Sequence, residues 1–232
     1  MANDRFARYG AASGIVATIL ILVGYSIATQ DIPDVNADAN AWQAFVADNQ
    51  SDIQTGTTIV AVGLFFFIWF LGSVRSALSA AEGGTGRLTS IAYAGGILTA
   101  GFFLIGLTAI QASAFRGGAA DANVVLGLSD LATVCGAPAA AGFAAFFGAT
   151  AIVGYRHKAV PAPIAGFSAL AAITQPLALG IGVTDHGAFA GDGVLGLWVP
   201  FATFVLGILT LSGALVKQAG ASAPPAAAPP AA

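Results

Sequence analysis

Five polar residues lie within or beside long apolar stretches of the sequence, where such side chains are uncommon. They are Gln111, Asp130, Gln175, Asp185 and His186. A carboxylate or an imidazole can hold a cation or exchange a proton, and a polar group within lipid is expected to have a function. These residues therefore predict a ligand site for a proton, a metal ion or an organic cation.

A short acidic segment contributes two of these residues. Asp185 and His186 are followed by Asp192 in a glycine-rich stretch, a combination that can bind a divalent cation or sense pH. The same residues also suit a solvated turn, so both interpretations stay open. With only two histidines and one cysteine, Cys135, the chain has too few ligands for a closed zinc or iron–sulfur site. We assign no catalytic residue and no metal site, and the sequence names no cofactor.

Two prolines interrupt apolar runs next to candidate site residues. Pro176 follows Gln175 and leaves the carbonyl of Ala172 without its helical donor. A broken helix of this kind lines the substrate site in many transporters, but a tolerated kink with the glutamine bonded to a neighbouring helix has the same sequence. Pro138 predicts a second break near Asp130. This aspartate then lies close to the membrane boundary, either in a site or as a solvated residue at a helix start.

The composition requires a lipid environment for much of the surface. Of the 232 residues, 57% are hydrophobic and only 8% are charged, whereas a soluble domain has about 25% charged residues. The apolar runs are about twenty residues long and apolar on every face, which fits a helix that crosses the bilayer and not a barrel strand. We predict an all-α fold, a bundle of six transmembrane helices at 11–29, 58–79, 89–113, 131–154, 162–183 and 194–216.

The distribution of charge fixes the predicted orientation. If the chain alternates sides from an internal N-terminus, seven of the eight Lys and Arg residues fall inside and only Arg116 falls outside. Cytoplasmic loops are enriched in Lys and Arg, so both termini are predicted to lie in the cytoplasm. The five candidate residues then lie between mid-membrane and the acidic outer surface. The alternative is a secretory signal ending near Ala28, whose cleavage would leave the other five spans unchanged.

Two segments outside the spans have distinct predicted structures. The outer loop 30–57 has five aspartates and no basic residue. Within it, residues 39–54 have the spacing of an amphipathic helix at the headgroup level, anchored by Trp42. Residues 219–232 contain only Ala, Gly, Ser and Pro, which cannot bury a core and predict a disordered cytoplasmic tail. The six-helix domain is therefore assigned to residues 1–218.

Small residues recur at steps of four in the third and fourth spans. Gly96 lies in the middle of one such stripe and Gly148 ends the other. Small side chains let helix backbones approach each other, so we predict that spans three and four pack closely at these glycines. The alternative explanation is composition alone, since the chain contains 30 glycines.

Several residues in and around spans two, five and six form a pattern. They are residues 67–72 (FIWFLG), Arg75, Leu78, Glu82, Gly83, Tyr155, Arg156, Pro161 and Trp198. This pattern resembles that of a large group of uncharacterised actinobacterial multi-helix membrane proteins. The resemblance implies the six-helix architecture and a bacterial plasma membrane, and it brings no activity or site residues.

Motifs of several common enzyme classes are not found in the sequence, which has no nucleophile elbow, HExxH motif, phosphate-binding glycine loop or CxxC motif. Their absence does not exclude an enzyme, but it removes any positive reason to propose one. Our first prediction is a non-enzymatic packing or interaction protein. The alternative is a transporter or permease-like carrier of a cation or small molecule that uses the outer polar groups; a membrane enzyme or cofactor protein is a third reading. The predicted partners are the lipid bilayer and a second copy or another membrane protein, with no nucleic acid.

Overall fold

The apolar runs form helices because a segment surrounded by lipid must satisfy its own backbone hydrogen bonds. The computed structural model describes residues 2–221, with side chains from Arg5 onward. That part of the chain contains eight α-helices and no strand. They are α1 (Ala2–Ala28), α2 (Ala39–Asp48), α3 (Gln50–Glu82), α4 (Arg87–Ala114), α5 (Ala122–Val134), α6 (Gly136–His157), α7 (Ala162–Thr174) and α8 (Val199–Ala221).

In the described part of the chain, six helical segments are long and apolar enough to cross a membrane. The protein is therefore a multi-pass membrane protein, and the predicted all-α bundle is confirmed. Helices α1, α3 and α4 are continuous spans. The fourth span combines α5 and α6, the fifth continues α7 with a 3₁₀ segment (Gln175–Gly182), and the sixth begins with a π-helical turn (Val194–Trp198) before α8.

Both breaks predicted from proline are present. The fourth span is interrupted at Cys135, between α5 and α6. Pro138 falls in the first turn of α6, where its missing N–H costs no helical hydrogen bond. In the fifth span the 3₁₀ segment begins at Gln175, because Pro176 cannot donate to the carbonyl of Ala172 and the α-helical pattern stops there.

The six spans stand side by side in sequence order and close into a ring. Helix α1 packs on α3 at Gly24 and Gly56, where a β-carbon on either glycine would lie 2.5 Å from the carbonyl oxygen of the other. Helix α8 returns to α1, since the Ser212 hydroxyl donates to the Ala11 carbonyl at 2.6 Å. The pairs α3–α4, α4–α6, α6–α7 and α7–α8 complete the circle. The first and last spans are therefore neighbours.

Phenylalanine side chains fill the centre of this ring. Phe67 of α3, Phe143 of α6 and Phe204 of α8 are buried and meet there. The rings of Phe143 and Phe204 are 4.4 Å apart, and Phe67 lies 6.1 Å and 6.3 Å from them. Phe103 of α4 adds a fourth ring, 5.9 Å from Phe143. Edge-on and tilted aromatic contacts of this kind are favourable, so within residues 2–221 the helices surround a packed apolar core.

Alternating spans bring like charges to each end of the bundle. One end, called here the basic end, contains the start of α1, the α3–α4 and α6–α7 turns and the end of α8, with seven of the eight Lys and Arg residues. The opposite, acidic end holds most of the aspartates and, of the basic residues, only Arg116. At the basic end the Glu82 carboxylate accepts hydrogen bonds from the backbone N–H groups of Leu88 and Thr89, both at 2.8 Å. These bonds cap α4.

Spans three and four pack closely, but the glycines at their contact differ from the predicted ones. Gly95 of α4 and Gly142 of α6 face each other, because a β-carbon on Gly95 would lie 2.5 Å from the Gly142 carbonyl oxygen. Gly96 faces α3 instead, and Gly148 faces α7. One residue turns a helix position by about 100°, so a stripe of small residues does not say which of its members meets the partner helix.

The amphipathic segment forms α2, but its apolar face contacts protein. Asp38 caps the helix, since its carboxylate accepts from the N–H groups of Asn40 and Ala41, each at 2.9 Å. Trp42 is only 3% exposed and packs in a small cluster with residues of α4 and α5. The prediction that Trp42 anchors the loop at the headgroups is therefore wrong. An apolar stripe shows only that one face of a helix avoids water. Here the C-terminal end of α4 and the N-terminal part of α5 cover the apolar face of α2.

The predicted tail begins too early. Helix α8 continues to Ala221, so residues 219–221 are helical despite their small side chains, because alanine has the highest helix propensity and a long preceding helix propagates readily. The remaining residues of the predicted tail, 222–232, lie outside the described part of the chain.

Candidate functional site

A cleft of about 560 Å³ opens at the acidic end of the bundle. Its walls come from residues 35–37 after α1, from helix α5 and from residues 181–185 at the end of the fifth span. Asp130 and Asp185 both line it. Spans four and five are neighbours in the ring, and this adjacency brings the two carboxylates to one opening. We call this feature the acidic-end cleft.

The acidic-end cleft combines carboxylates with neutral polar and apolar groups. Asn36, Thr133 and Thr184 supply the neutral polar groups, and the other lining side chains are aliphatic. No Lys, Arg or His side chain is among its lining residues. A positively charged group with a short apolar portion therefore fits the chemistry of this opening better than an anion does.

His186 lies beside the cleft and is paired with Asp185. The Nδ1 atom of His186 is 2.6 Å from an Asp185 carboxylate oxygen, and both side chains are exposed. This hydrogen bond lowers the pKa of Asp185 from its ordinary value. Asp185 consequently keeps its negative charge to a lower pH than an ordinary aspartate does.

Asp192 connects two of the segments around the cleft. Its Oδ2 atom accepts a hydrogen bond from the backbone N–H of Val35 at 3.4 Å, which links the loop after the fifth span to the loop after α1. Sequence reasoning placed Asp192 with Asp185 and His186 as a possible cation-binding set. In the structure the Asp192 carboxylate contacts a backbone N–H group. Val35 and Asn36 also line the cleft, and no feature of the sequence indicated this.

Gln175 lies away from the cleft and joins two helices. It is 2% exposed, and its Nε2 atom donates to the carbonyl of Pro200 at 2.9 Å and to the Thr203 hydroxyl at 3.3 Å. The hydroxyls of Thr174 and Thr203 are 2.9 Å apart. These contacts tie the end of α7 to the start of α8. Of the two readings left open by the sequence, the geometry is that of a kink with its glutamine bonded to a neighbouring helix.

Gln111 is exposed on α4 and does not line the acidic-end cleft. The structure therefore brings Asp130 and Asp185 together, with His186 beside them, and leaves Gln111 and Gln175 elsewhere. Residues in the same half of the bilayer can face different directions around their helices, and these two glutamines do not face the cleft.

The geometry is the main source of functional information for this chain. No family model, curated protein or solved structure matches it. Within residues 2–221, no group of three or more His, Cys, Asp or Glu side chains is placed to hold a metal ion. The acidic-end cleft thus offers two carboxylates with hydroxyl and amide groups near them, an arrangement suited to a hydrated or organic cation.

Proposed function

We propose that the protein is a non-enzymatic interaction protein of a bacterial plasma membrane, and that its acidic-end cleft receives a cationic group of a partner. The observation that carries this proposal is the separation of the cleft from the interior of the bundle. Asp130 and Asp185 line the cleft, whereas the rings of Phe143 and Phe204 pack 4.4 Å apart at the bundle centre. A group held by the carboxylates therefore stays at the surface of the protein.

The proposed orientation has both termini in the cytoplasm and the acidic end outside. It rests on charge: seven of the eight Lys and Arg residues lie at the basic end, and cytoplasmic segments are enriched in these residues. The cleft then faces outward, where it is open to a soluble partner or to the outer segment of another membrane protein. The resemblance to actinobacterial membrane proteins supports the assignment to a bacterial plasma membrane.

A carrier of cations is the second candidate, because Asp130 and Asp185 in the same cleft could bind a transported cation. Carriers bind their substrate near the middle of the bilayer, at helices whose broken ends line an aqueous cavity. The broken fifth span has its polar residue, Gln175, bonded to Pro200 and Thr203, and the neighbouring Ala178 is buried. These contacts favour a cleft that ends at the surface over a path that continues inward.

Neutralising both cleft carboxylates is expected to weaken binding of a cationic probe. In the variant Asp130→Asn with Asp185→Asn, the dissociation constant of a fluorescent oligolysine peptide should rise about fivefold at low ionic strength, because two exposed charge pairs are lost. The measurement is fluorescence anisotropy with the full chain in mild detergent.

Asp48→Asn is the matched control, since Asp48 is exposed at the acidic end on α2 and does not line the cleft. This change should alter the dissociation constant much less. Each cleft substitution, Asp130→Asn or Asp185→Asn, is also compared alone with Asp48→Asn. If Asp48→Asn weakens binding as much as either of them, the probe follows the general negative potential of this end, and the proposal of a defined cationic site would be abandoned.

A further inference from the structure

A second concavity lies on the perimeter of the bundle, on the side that faces away from its centre. It is between α1 and α3, near the basic end. It has a volume of about 470 Å³, and its lining includes Phe6, Gly10, Phe65, Trp69, Gly72 and Ser73. We call it the lateral groove. The rings of Phe6 and Trp69 meet edge-on across the two helices with centroids 6.3 Å apart. Phe6, Phe65 and Trp69 are 63%, 56% and 48% exposed, so this surface faces lipid and not the packed centre.

The lateral groove has the length of one lipid leaflet. On α3 its lining runs from Phe65 to Ser76, a rise of about 16 Å at the helical spacing, against about 30 Å for the whole hydrocarbon core. Arg75 lies on the last of these turns, with its guanidinium 5.4 Å from the centre of the Tyr93 ring. An arginine near the end of an apolar helix marks the level of the headgroups. The groove therefore extends from that level toward the middle of the bilayer.

The end of the lateral groove nearest the headgroups is polar. Ser73 and Ser76 line it there. The Ser76 hydroxyl donates to the Gly72 carbonyl at 3.0 Å, whereas the Ser73 hydroxyl has no hydrogen-bond partner among the described residues and can donate to a ligand. Arg5 and Arg8 are exposed on the same turns of α1 as the groove residue Phe6. The opposite end, at Phe65 and Ile68, is apolar.

The floor of the lateral groove is open at Gly72. A β-carbon built on Gly72 would meet no atom within 4 Å, and Gly72 lines the groove, so a side chain at this position would extend into open space in the groove. On the other wall, Gly10 lets α1 approach Ser73, since its β-carbon would lie 2.5 Å from the Ser73 Oγ atom. The groove is thus shaped by two glycines, one that brings the helices together and one that leaves space.

We propose that the lateral groove retains one phospholipid with an anionic headgroup. An acyl chain lies along Phe65, Ile68 and Trp69, and the phosphate region accepts the Ser73 hydrogen bond close to the positive charges of Arg5 and Arg8. This groove ends about halfway through the bilayer, and Arg5 and Arg8 give it a basic rim. Its length and its basic rim therefore fit a lipid of one leaflet.

Native mass spectrometry of the full chain tests this assignment. Protein reconstituted with equal amounts of phosphatidylglycerol and phosphatidylcholine, then extracted in mild detergent, should carry one phosphatidylglycerol. Gly72→Leu should abolish most of that adduct by filling the groove. Gly101→Leu is the matched control, because a β-carbon on Gly101 of α4 also meets no atom within 4 Å, and it should leave the adduct intact.

The headgroup contacts have their own test in the same measurement. Arg5→Ala and Arg8→Ala should each lower the preference for phosphatidylglycerol over phosphatidylcholine about fivefold, as expected for one basic residue at an anionic surface. The proposal is overturned if wild-type protein retains both lipids equally, if Gly72→Leu retains as much as Gly101→Leu, or if wild-type protein appears as a dimer that Gly72→Leu converts to a monomer.

Discussion

Replacing Gly142 with leucine is expected to lower the thermal midpoint of the detergent-solubilised protein by about 10 °C. A β-carbon at this position would lie 2.5 Å from the Thr99 hydroxyl oxygen and 2.7 Å from the Gly95 carbonyl oxygen. The α4 and α6 backbones would have to separate, and the hydrogen bond from Thr99 to the Ala139 carbonyl, now 2.8 Å, would break. Overpacking costs about 1–3 kcal/mol and an interhelical hydrogen bond contributes about 0.6 kcal/mol, which gives this shift in a chain of such size.

Gly148→Leu is the comparison for Gly142→Leu. Both glycines lie on α6, but the nearest atom to a β-carbon on Gly148 is the Ala172 side chain at 3.7 Å, an ordinary contact. The Gly148 variant should therefore melt within a few degrees of the wild type. If the two variants melt together, the contact between Gly95 and Gly142 is not what holds the third and fourth spans.

Replacing Phe204 with alanine should be at least as damaging, because it empties the centre of the bundle. The Phe204 ring is 4.4 Å from Phe143, 6.3 Å from Phe67 and 6.4 Å from Phe103, so three helices lose a shared contact. Truncation of a buried phenylalanine typically costs about 3–5 kcal/mol. Thermal unfolding followed by tryptophan fluorescence should show a drop in the midpoint of about 10 °C or more.

Phe115→Ala provides the matched control for Phe204→Ala. Phe115 is 71% exposed after the end of α4, so its truncation opens no cavity and should leave the midpoint nearly unchanged. Partial recovery is expected with Phe204→Leu, which refills much of the space. A Phe204→Ala protein as stable as the wild type would show that the phenylalanine centre is not tightly packed.

The number of spans and their helical structure could be predicted because both depend on the order of residues along the chain and not on contacts between distant residues. The length of each apolar run, the interruptions at Pro138 and Pro176, and the isolation of Arg116 from the other basic residues are all visible in the sequence. None of them requires knowing which side of a helix faces which neighbour. The ring order also follows from short connections, although the closing contact between Ser212 and Ala11 has no sequence signal.

Rotational details could not be predicted for the same reason. Gly95 and Gly96 are equally small and adjacent, yet one contacts α6 and the other α3. Trp42 has the spacing of a lipid-facing anchor and is covered by protein. In a chain so rich in apolar residues, hydrophobicity separates lipid from water but does not separate lipid from a neighbouring helix.

The candidate site was predictable only in part. Asp130 and Asp185 were grouped by their predicted depth, and they line one cleft because their spans are neighbours. Gln175 was included with them as the deepest member, about midway through the bilayer, but its side chain contacts Pro200 and Thr203. A predicted depth gives the position of a side chain along the membrane normal. Its position in the plane of the membrane, which decides whether two residues meet, stays unknown.

Cysteine labelling in intact cells tests most directly whether the acidic end faces outward above a closed bundle. Single cysteines at Asp48, Ala178 and Thr85 are introduced after Cys135→Ala removes the native thiol, which is 6% exposed. With an impermeant maleimide we expect Asp48→Cys to label in intact cells and Thr85→Cys, in the α3–α4 turn, to label only after permeabilisation. Ala178→Cys, at a position 4% exposed, should stay unlabelled in both. Labelling of Thr85→Cys in intact cells would reverse the orientation, and labelling of Ala178→Cys would show that water reaches the interior, as a carrier requires.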